Sequence, residues 1–523
     1  MEKNKTVLTM DFGTQSLRVS LIDKKGNIVA IVKKQYDPIY YSEQKGYAEQ
    51  HADFYWDTLL SALSDLADQY EDLMDTIVGS TITTFRDTSV QLDHNLKPVR
   101  RSILWLDQRM AKAKEKMPML HSMAFHLVGM WDTIKLNRQR TMAHWIKENE
   151  PEVWSQTYKY VNISAYLTYK LTGNLVDSVS SVTGHYPIDF KNRTWYKQGH
   201  LKGRIYGIPN HMLCDLKQPG DILGEIKPEV AMRVGLPLGI KVYATGSDKS
   251  CETLGLGALT PDIGAISYGT ASTIDVSNPK FVNPEPFLPA YPAAIPNLYN
   301  MEVQIYRGYW MITWFSKEFA NELYDEAKWQ NIAIEELMNQ RINRIPPGSD
   351  GLVLQPYWGP GLSRPISKGA IVGFSDIHTR DHLYRAIIEG IAYALREGLE
   401  GIEKAQRKKV RSLMISGGGS QSDIICQITA DVFGLPVSRV QTFETTSLGA
   451  AIATFMALGE FPDVETAVKK MVHPSRTFVP NEVANQQYNR LFNQVYLKLY
   501  PKLKKIYRSI NGLPRLRFWK KVD

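Results

Sequence analysis

Acidic, glycine and hydroxyl residues occur together in the first turn of the sequence. Asp11, Gly13 and Thr14 are followed at once by Gln15 and Ser16, between two short apolar runs. A plain tight hairpin needs only Asn-Gly or Asp-Gly. A turn that adds hydroxyl and amide side chains to an acid and a glycine can present backbone N–H groups to a phosphate. The pattern therefore predicts an anion-binding turn with an acid beside it.

The same pattern occurs again in the second half of the chain, where Gly269 and Thr270 lie between two apolar runs. A third loop, rich in glycine, contains Gly418, Gly419 and Ser422 and follows an apolar run. No stretch matches GxxxxGK[ST], and GGGSQS is not GxGxxG, so neither a P-loop nor a dinucleotide fold accounts for these loops. The repeated Gly-Thr turn predicts two related domains.

A further acid, Asp248, follows the β-rich run 242–244 and precedes a glycine-spaced segment that is typical of a helix start. An acid at the end of a strand can face a cleft and act there as a base. The alternative interpretation is that Asp248 caps the helix after it, a role that also suits aspartate.

Two short segments combine acids, arginines and an aromatic residue. One contains Arg86 and Asp87, and the other contains Trp105 and Asp107. Carboxylates and guanidinium groups fix sugar hydroxyls by paired hydrogen bonds, and an indole can cover an apolar sugar face. The cluster therefore favours a polyol-binding wall, with a pair of surface salt bridges as the alternative.

The elements that must position these residues alternate between strands and helices, which indicates an α/β fold with sheets covered on both faces. Proline-rich stretches at 279–296 and 345–365 indicate loops outside the interior. We expect the domain boundary within 241–262. The predicted strands are 6–10, 17–22, 28–33, 264–276 as a hairpin, 410–415 and 436–440, and the predicted helices include 53–71, 422–432 and 447–458.

Composition and charge exclude several function classes. Hydrophobic residues make up 43% and charged residues 22%, which is typical of a folded globular protein. The net charge of +8 lies mostly in residues 501–523, which hold eight basic residues and one acid. The rest of the chain is nearly neutral, which argues against nucleic-acid binding. We expect the basic end to be a solvated surface helix and terminus.

Cysteine usage and the apolar runs bear on location. The three cysteines are widely spaced, so they supply neither a disulfide framework nor a CxxC metal site. The N-terminus has no apolar run typical of a signal peptide, and the uncharged stretch 286–301 contains four prolines, so no membrane span is expected. We expect a cytoplasmic protein. The sequence leaves its oligomeric state open, a homodimer included.

The order of these motifs resembles that of the FGGY carbohydrate kinases, relatives of glycerol kinase and xylulose kinase, and the resemblance runs from about residue 5 to 480. The motifs are D-x-G-T-x-S-x-R (Asp11 to Arg18), W-x-D-x-R (Trp105 to Arg109), G-x-D (Gly246 and Asp248), S-x-G-T (Ser267 to Thr270) and S-G-G-G-x-x-S (Ser416 to Ser422) with a trailing Ala430-Asp431.

The resemblance implies two actin-like (ribonuclease H-like) domains, 1–245 on the sugar and metal side and 246–480 on the nucleotide side, with a central cleft and a basic tail from 481 to 523. It implies ATP and Mg²⁺ as cofactors, with Asp248 as the base and Asp11 and Asp248 as metal ligands. The other implied contacts are the phosphates for Gly13, Thr14, Gln15, Gly269 and Thr270, the adenosine for Gly418, Gly419 and Ser422, and the sugar for Arg86, Asp87, Trp105 and Asp107.

The chain departs from the family pattern in two places. The loop 359–365 keeps the family's Arg-Pro but lacks the acid of Gly-Glu-Arg-x-Pro and is longer. The run Phe85-Arg86-Asp87 resembles the Arg-Glu pair of glycerol kinases and quorum-signal kinases more than the Met-His pair of xylulose kinases. These departures leave the identity of the substrate open.

We therefore expect ATP-dependent phosphorylation of a small sugar or polyol, with a ketopentose such as a xylulose or a ribulose as the first choice. Glycerol or another polyol, an aldonate and a quorum-signal molecule remain alternatives within the family. Outside it, the alternatives are an actin-like ATPase that switches a partner interaction, for which the sugar-type cluster would have no use, and a silent sensor, which the two acids disfavour.

Overall fold

Two large sheets form the centre of the molecule in the computed structural model, which describes residues 5–115, 117–127, 130–285, 288–359, 361 and 364–512. The first sheet has the spatial order β5-β6-β4-β1-β2-β3. Its strands are β1 (Thr6–Phe12), β2 (Ser16–Asp23), β3 (Ile28–Gln35), β4 (Ile77–Thr84), β5 (Ile222–Glu225) and β6 (Lys241–Tyr243).

The second sheet begins after β6 and has the spatial order β9-β10-β8-β7-β11-β12-β13. Its strands are β7 (Ile263–Tyr268), β8 (Ser272–Asn278), β9 (Tyr291–Pro292), β10 (Tyr299–Ile305), β11 (Ser412–Ser416), β12 (Val437–Val440) and β13 (Pro474–Phe478).

Both sheets are built to one plan. The central strand β1 pairs antiparallel with β2 and parallel with β4, and β7 pairs in the same way with β8 and β11. The predicted repeat is therefore confirmed as a repeated topology, with a Gly-Thr turn joining the first two strands of each sheet. The predicted N-terminal strands are found, each longer by one or more residues.

Helices pack on the sheets because the central strands are apolar on both faces. Every residue of β1 is buried, with Leu8 and Met10 in one cluster beside helix α1 and Val7 in another beside helix α6. The helices that concern the site are α1 (Ala52–Gln69), α2 (Asp248–Gly255), α3 (Trp310–Phe319), α4 (Arg380–Gln406), α5 (Asp423–Phe433), α6 (Thr445–Ala457), α7 (Glu482–Leu491) and α8 (Leu497–Gly512).

Helices α2 and α6 cross at a pair of glycines. A Cβ on Gly255 would lie 1.9 Å from the Thr445 carbonyl oxygen, and one on Gly449 would lie 1.8 Å from the Cys251 carbonyl oxygen. Only glycine allows so close an approach of two backbones. The crossing fixes α2, which begins at Asp248, against α6.

Smaller elements surround the two large sheets in both halves of the chain. A four-stranded sheet is formed by Glu49–Gln50, Ser89–Leu92, Ser102–Ile103 and Lys159–Asn162, and short strand pairs are formed by Val176–Ser178 with Asp215–Lys217, Ile188–Asp189 with Thr194–Trp195, and Val353–Gln355 with Ala370–Val372. The remaining α-helices are Glu71–Met74, Met119–Leu127, Trp131–Arg140, Met142–Asn149, Pro151–Gln156, Ile163–Thr172, Pro228–Val234, Leu323–Gln330, Ile334–Arg341 and Val464–Met471.

Both loop predictions need correction. The stretch 279–296 contains the edge strand β9, and Ala290, Ala293 and Ala294 beside it are buried. The stretch 345–365 contains the strand Val353–Gln355, which is wholly buried and belongs to the core of the second half. Its prolines flank this strand and leave the strand itself free to pair, since Pro346, Pro347 and Pro356 all lie outside it.

The basic C-terminal helix α8 is largely exposed, as predicted, but Tyr507 anchors it. The Tyr507 ring is 3% exposed, and its hydroxyl donates to Gln355 Oε1 at 3.2 Å. Residues 513–523, which carry half of the basic residues in 501–523, lie outside the described residues. Within the described ranges, no helix has the length and apolar character needed to cross a membrane.

Candidate active site

The first Gly-Thr turn joins β1 to β2 and carries Asp11 at the end of β1. Gly13 N donates to Ser16 O at 3.0 Å and closes the turn. The cross-strand partner of Asp11 is Arg18, whose Nε lies 2.7 Å from Glu444 Oε2. Burial raises the pKa of the Asp11 carboxyl to about 7; Arg18 opposes this shift and the charge of Asp248 adds to it.

Asp248 is the first residue of α2, and the helix is capped by Ser247. Ser247 Oγ accepts from Ser250 N at 3.4 Å, so the interpretation of Asp248 as the cap is wrong. The Asp248 carboxylate accepts from Lys249 N at 2.8 Å. Burial raises the pKa of Asp248, while the cations of Lys249 and Arg86 lower it. The cations of Lys249 and Arg86 are thus both close enough to act on the charge of this carboxylate.

A buried carboxylate, Glu252, lies below the second Gly-Thr turn. Lys249 Nζ donates to Glu252 Oε2 at 2.6 Å and to Ser267 Oγ at 2.7 Å. Ser267 and Ser416 both donate to Glu252 Oε1, at 2.9 and 2.6 Å. Ser267 is the second-last residue of β7 and Ser416 is the last residue of β11. One carboxylate therefore ties together α2 and the strands that lead into the second and third loops.

The second turn itself is held by the start of α3. Tyr309 N donates to Gly269 O at 3.1 Å, and Trp310 N donates to Thr270 O at 3.3 Å. Both Gly269 and Thr270 are partly exposed. The carbonyl groups of the turn are therefore occupied by protein, while its outer side stays accessible, as in the first turn, where Gly13 and Thr14 are partly exposed and Gln15 is exposed.

The third loop follows β11 and packs its glycines differently. Gly417 has φ 79°, and a Cβ there would lie 2.6 Å from the Tyr268 carbonyl oxygen, so packing demands glycine. Gly419 is covered by the Tyr309 ring, 2.5 Å from where its Cβ would lie. Gly418 is exposed and a Cβ there would meet nothing within 4 Å. The loop is therefore open at Gly418, and Ser422 follows as the residue before α5.

An ion pair between the two halves of the chain holds Arg86. Arg86 Nη1 and Nη2 donate to Glu302 Oε2 and Oε1 at 2.8 and 2.9 Å, a bidentate geometry. Burial opposes the charged guanidinium, but the carboxylates of Glu302 and Asp248 raise the pKa of Arg86. The arginine is therefore a fixed cation near Asp248.

Asp87 is held by His185. His185 N donates to Asp87 Oδ1 at 2.9 Å, and His185 Nδ1 lies 2.6 Å from Asp87 Oδ2. Burial would raise the pKa of Asp87, but the His185 contacts lower it overall. Asp87 has φ 53°, in the left-handed region. A non-glycine residue in this region is uncommon and often marks a functional site.

Trp105 and Asp107 have different surroundings although they are two residues apart. Trp105 Nε1 donates to Thr14 Oγ1 at 3.1 Å, which links this cluster to the first Gly-Thr turn. The Asp107 side chain is 1% exposed, and its oxygens accept from Arg109 Nε, Arg109 Nη2 and Ala48 N at 2.8, 2.7 and 2.7 Å. The structure thus places Trp105 beside the turn and Asp107 in an internal ion pair.

Sequence reasoning gave no role to Lys249, Glu252, Glu302 and His185, which complete the site. The pairs Glu252–Ser416 and Arg86–Glu302 join residues 164 and 216 positions apart, a separation that no local pattern reveals. The Lys249–Glu252 pair was detectable, since residues three apart share one face of a helix.

The acids suit one kind of cation. Among the described residues no group of three or more His, Cys, Asp or Glu side chains is arranged to hold a metal ion. Asp11 and Asp248 nevertheless influence each other's charge. Mg²⁺ typically takes one or two carboxylates and fills its other positions with water and substrate phosphates. Two neighbouring carboxylates beside phosphate-type turns fit that requirement.

The loop 359–365 that lacks the family's acid obtains one from elsewhere. Arg364 Nη2 donates to Glu397 Oε1 at 2.5 Å, and Arg364 Nη1 donates to the Tyr357 hydroxyl at 2.7 Å. Helix α4 therefore supplies the carboxylate that pairs with this arginine. Residues 360, 362 and 363 of the loop lie outside the described residues.

Comparison with known proteins agrees with this arrangement along the chain. The uncharacterized sugar kinase YgcE of Escherichia coli is 30% identical over 486 residues, which cover 92% of this chain and 91% of that protein. The xylulose kinase of Lactococcus lactis is 29% identical over 482 residues, covering 91% and 92%.

Solved structures show the same fold. The gluconate kinase of Lactobacillus acidophilus superposes with a TM-score of 0.81 at 23% identity, covering 97% of this chain and 100% of the other. The xylulose kinase of Rhodospirillum rubrum gives 0.81 at 23% identity, covering 96% and 100%. At these identities the likeness concerns the fold, which is the two-domain, actin-like architecture that the family resemblance implies.

The family assignment rests on both halves of the chain. Residues 6–255 match the N-terminal domain of the FGGY family of carbohydrate kinases, and residues 264–458 match its C-terminal domain. The first match ends with the last residue of α2, the helix that carries Asp248 and Glu252, and the second begins within β7. The chain therefore belongs to the FGGY family of carbohydrate kinases and is a sugar kinase.

Proposed function

We propose that this sugar kinase transfers the terminal phosphoryl group of ATP to a hydroxyl of a ketopentose, such as a xylulose or a ribulose, or of a related polyol. The observation that carries the proposal is the environment of Asp248 at the start of α2, where burial raises the pKa of its carboxyl and the nearby cations of Lys249 and Arg86 lower it. A kinase of this kind uses a base within hydrogen-bond reach of the acceptor hydroxyl, which takes the proton as the hydroxyl oxygen attacks the phosphorus.

Asp248 takes the proton of the acceptor hydroxyl. A base works best when its pKa lies near the working pH. Burial moves the pKa of Asp248 upward, in that direction, and the neighbouring cations limit the shift. The raised proton affinity supports the assignment of Asp248 as the general base.

Arg86, Asp87 and Trp105 bind the sugar. The Arg86 guanidinium keeps N–H donors beyond the two that bind Glu302, and Asp87 is fixed by His185. Trp105 offers its indole beside the first turn. Asp107 acts one step away, since its bonds to Arg109 and Ala48 hold the segment that carries Trp105.

The three loops bind the nucleotide from its phosphates to its adenosine. Backbone N–H groups at exposed turns are anion sites. Residues Gly13, Thr14, Gln15, Gly269 and Thr270 bind the phosphates, and Gly418, Gly419 and Ser422 bind the adenosine. The open side of Gly418, where added atoms would meet no protein, supports this direction of approach.

Asp11 and Asp248 would hold Mg²⁺. When bound, this ion neutralises negative charge on the phosphoryl group being transferred. Burial raises the pKa of Asp11 to about 7. At neutral pH the carboxyl group is therefore present both in its protonated form and in the ionised form that can bind a cation. We place the reaction in the cytoplasm, where ATP is available and where free thiols such as the three buried cysteines persist.

A substrate panel with one matched pair of variants tests this function. Wild type, Asp248→Asn and Ser247→Ala are assayed for ADP formation with MgATP and D-xylulose, L-xylulose, D-ribulose, L-ribulose, glycerol or D-gluconate. We expect a pentulose or polyol to accelerate ADP formation, and Asp248→Asn to reduce kcat by about 10²- to 10⁴-fold.

Ser247→Ala removes the helix cap and leaves the base. It should lower the melting temperature slightly, by the loss of about 1 kcal/mol, and keep turnover near that of wild type. Wild-type turnover in Asp248→Asn, or no response to any member of the panel, would contradict the proposed function. Preference for D-gluconate would keep the mechanism and change the substrate.

A further inference from the structure

The ammonium group of Lys249 lies against the second Gly-Thr turn. Its Nζ donates to Ser267 Oγ at 2.7 Å and to Glu252 Oε2 at 2.6 Å, and a Cβ on Gly269 would lie 3.8 Å from it. An ammonium has three N–H donors. Two are used by these contacts, so a third is available beside the turn.

Glu252 fixes this cation in one position. The carboxylate is buried, and besides Lys249 it accepts from Ser267 and Ser416. Four polar side chains therefore form a closed network below the turn. A lysine that served only to neutralise Glu252 would need no such position next to Gly269 and next to Asp248.

The distribution of charge around the site points to a role for one cation, Lys249. Asp11, Asp248 and Glu252 are carboxylates that affect one another. Of the neighbouring arginines, Arg18 is paired with Glu444, and Arg86 is paired with Glu302 on the sugar side. A triphosphate entering between the two turns would meet several carboxylates, and Lys249 is the cation that the network aims at the second turn.

We propose that Lys249 is a further catalytic residue of this kinase, donating its third N–H to an oxygen of the terminal phosphoryl group. The proposal rests on the proposed function. In the step, the hydroxyl proton passes to Asp248, a bond forms from the sugar oxygen to the terminal phosphorus, and the bond from that phosphorus to the bridging oxygen breaks. ADP leaves with the electron pair, and Lys249 stays protonated throughout.

Binding and turnover of the full chain test the proposal. Lys249→Met keeps the length of the side chain and removes the charge, and Lys470→Met, at an exposed position, is the matched control. We measure the affinities for ADP and for AMP-PNP, then kcat with MgATP and D-xylulose or whichever panel member the wild type prefers.

Lys249→Met should weaken AMP-PNP binding by about tenfold or more and leave ADP binding within about threefold. The reason is that only AMP-PNP carries the third phosphoryl group, which is the one that Lys249 contacts in the proposal. Removing one preorganised donor to a transition-state oxygen typically costs about 10²- to 10³-fold in kcat. Lys470→Met should match the wild type. Equal loss of both nucleotides, or kcat within about twofold of wild type, would overturn the assignment.

The double variant Lys249→Met/Glu252→Gln separates the contact from the cost of an unpaired Glu252. If Lys249 serves the phosphate, the double variant stays impaired; recovery of kcat would show that Lys249 is needed only to neutralise Glu252. Because the double variant buries no unpaired charge, it is also the test if Lys249→Met fails to fold. If Asp248→Asn lost activity while Lys249→Met and the double variant kept full activity, only the inference about Lys249 would be refuted. Full activity in Asp248→Asn would refute the proposed function.

Discussion

The two Gly-Thr turns have the same backbone plan and different chemistry. In the first, the residue two places before Gly13 is Asp11; in the second, the residue two places before Gly269 is Ser267. The first turn thus adds a carboxylate to its backbone donors. The second replaces this carboxylate with a hydroxyl that bonds to Lys249 and Glu252.

The difference shows how a duplicated hairpin divides one task. Each turn can supply N–H groups to phosphate, but an acid attracts a cation and an ammonium attracts an anion. We infer that the first turn serves the metal and the second serves the transferred phosphate. Asp248, at the start of the helix between the two halves, is positioned between both functions.

Exchanging the acid of the first turn should have the largest effect on this comparison. In Asp11→Asn we expect kcat to fall by about 10²-fold or more, since a metal ion supplies several kcal/mol of charge stabilisation. The Mg²⁺ concentration needed for half-maximal rate should rise. Titrating activity against Mg²⁺ measures both quantities.

Ser267→Ala is the matched change in the second turn. It removes a hydroxyl that bonds to the charged groups of Lys249 and Glu252 but leaves both groups and their mutual ion pair in place. Because the change reaches the nucleotide only through the position of Lys249, nucleotide affinity should fall by roughly tenfold at most, with no change in the Mg²⁺ requirement. If the two variants changed the Mg²⁺ requirement equally, the turns would not divide the work between metal and phosphate.

On the sugar side, the expected effect is smaller than that of Asp11→Asn and falls on KM. Arg86→Ala should raise the sugar KM by roughly 10- to 150-fold, because a hydrogen bond from a charged donor contributes about 1.5–3 kcal/mol. The KM for ATP should stay within about threefold. Initial rates with each substrate varied in turn give both values.

Glu302→Gln is the companion variant, since Arg86→Ala also leaves Glu302 buried without its partner. Glu302→Gln keeps the guanidinium and disturbs only its bidentate support, so the sugar KM should rise less than in Arg86→Ala. If both variants weakened the binding of sugar and of nucleotide equally, the assignment of Arg86 to the sugar pocket would be wrong.

Local patterns predicted much of the fold. Alternation and spacing of nearby residues were enough to predict the Gly-Thr turns, the strands around them and the helices after the third loop. The start of α2 was harder to predict, because serine and aspartate are both good helix caps. Only the hydrogen bond from Ser250 N to Ser247 Oγ decides between Ser247 and Asp248.

The partners of the site residues were beyond the sequence. Asp107 looked like a pocket residue, but Arg109, two positions away, binds it in the interior. Arg86 was predicted to line the sugar pocket, but the sequence did not reveal that Glu302 from the other half of the chain holds it. Such pairings depend on how the two sheets pack, and a pattern of spacing contains no information on that.

The smallest expected effect concerns a buried acid outside this chemistry. Asp177 resembles Asp11 in that burial raises the pKa of its carboxyl to about 7. The surroundings of Asp177 are hydrogen bonds from Ser164 Oγ and Ser178 N, at 2.6 and 2.8 Å. We expect the titration of Asp177 to affect stability and not catalysis.

The sign follows from proton binding. Between pH about 4, where an unfolded aspartate loses its proton, and pH about 7, the folded chain holds a proton at Asp177 that the unfolded chain has released. The free energy of unfolding therefore falls as pH rises through this window and levels off above it. Asp177→Asn, which cannot ionise, should melt a few degrees higher than wild type at pH 8 and show little difference at pH 4, where the unfolded chain has only begun to release its proton. Melting curves at the two values measure this, with kcat at pH 8 as the control. A constant offset between the variants at both pH values would show that Asp177 is charged in the folded protein, and a loss of kcat would end the contrast with Asp11.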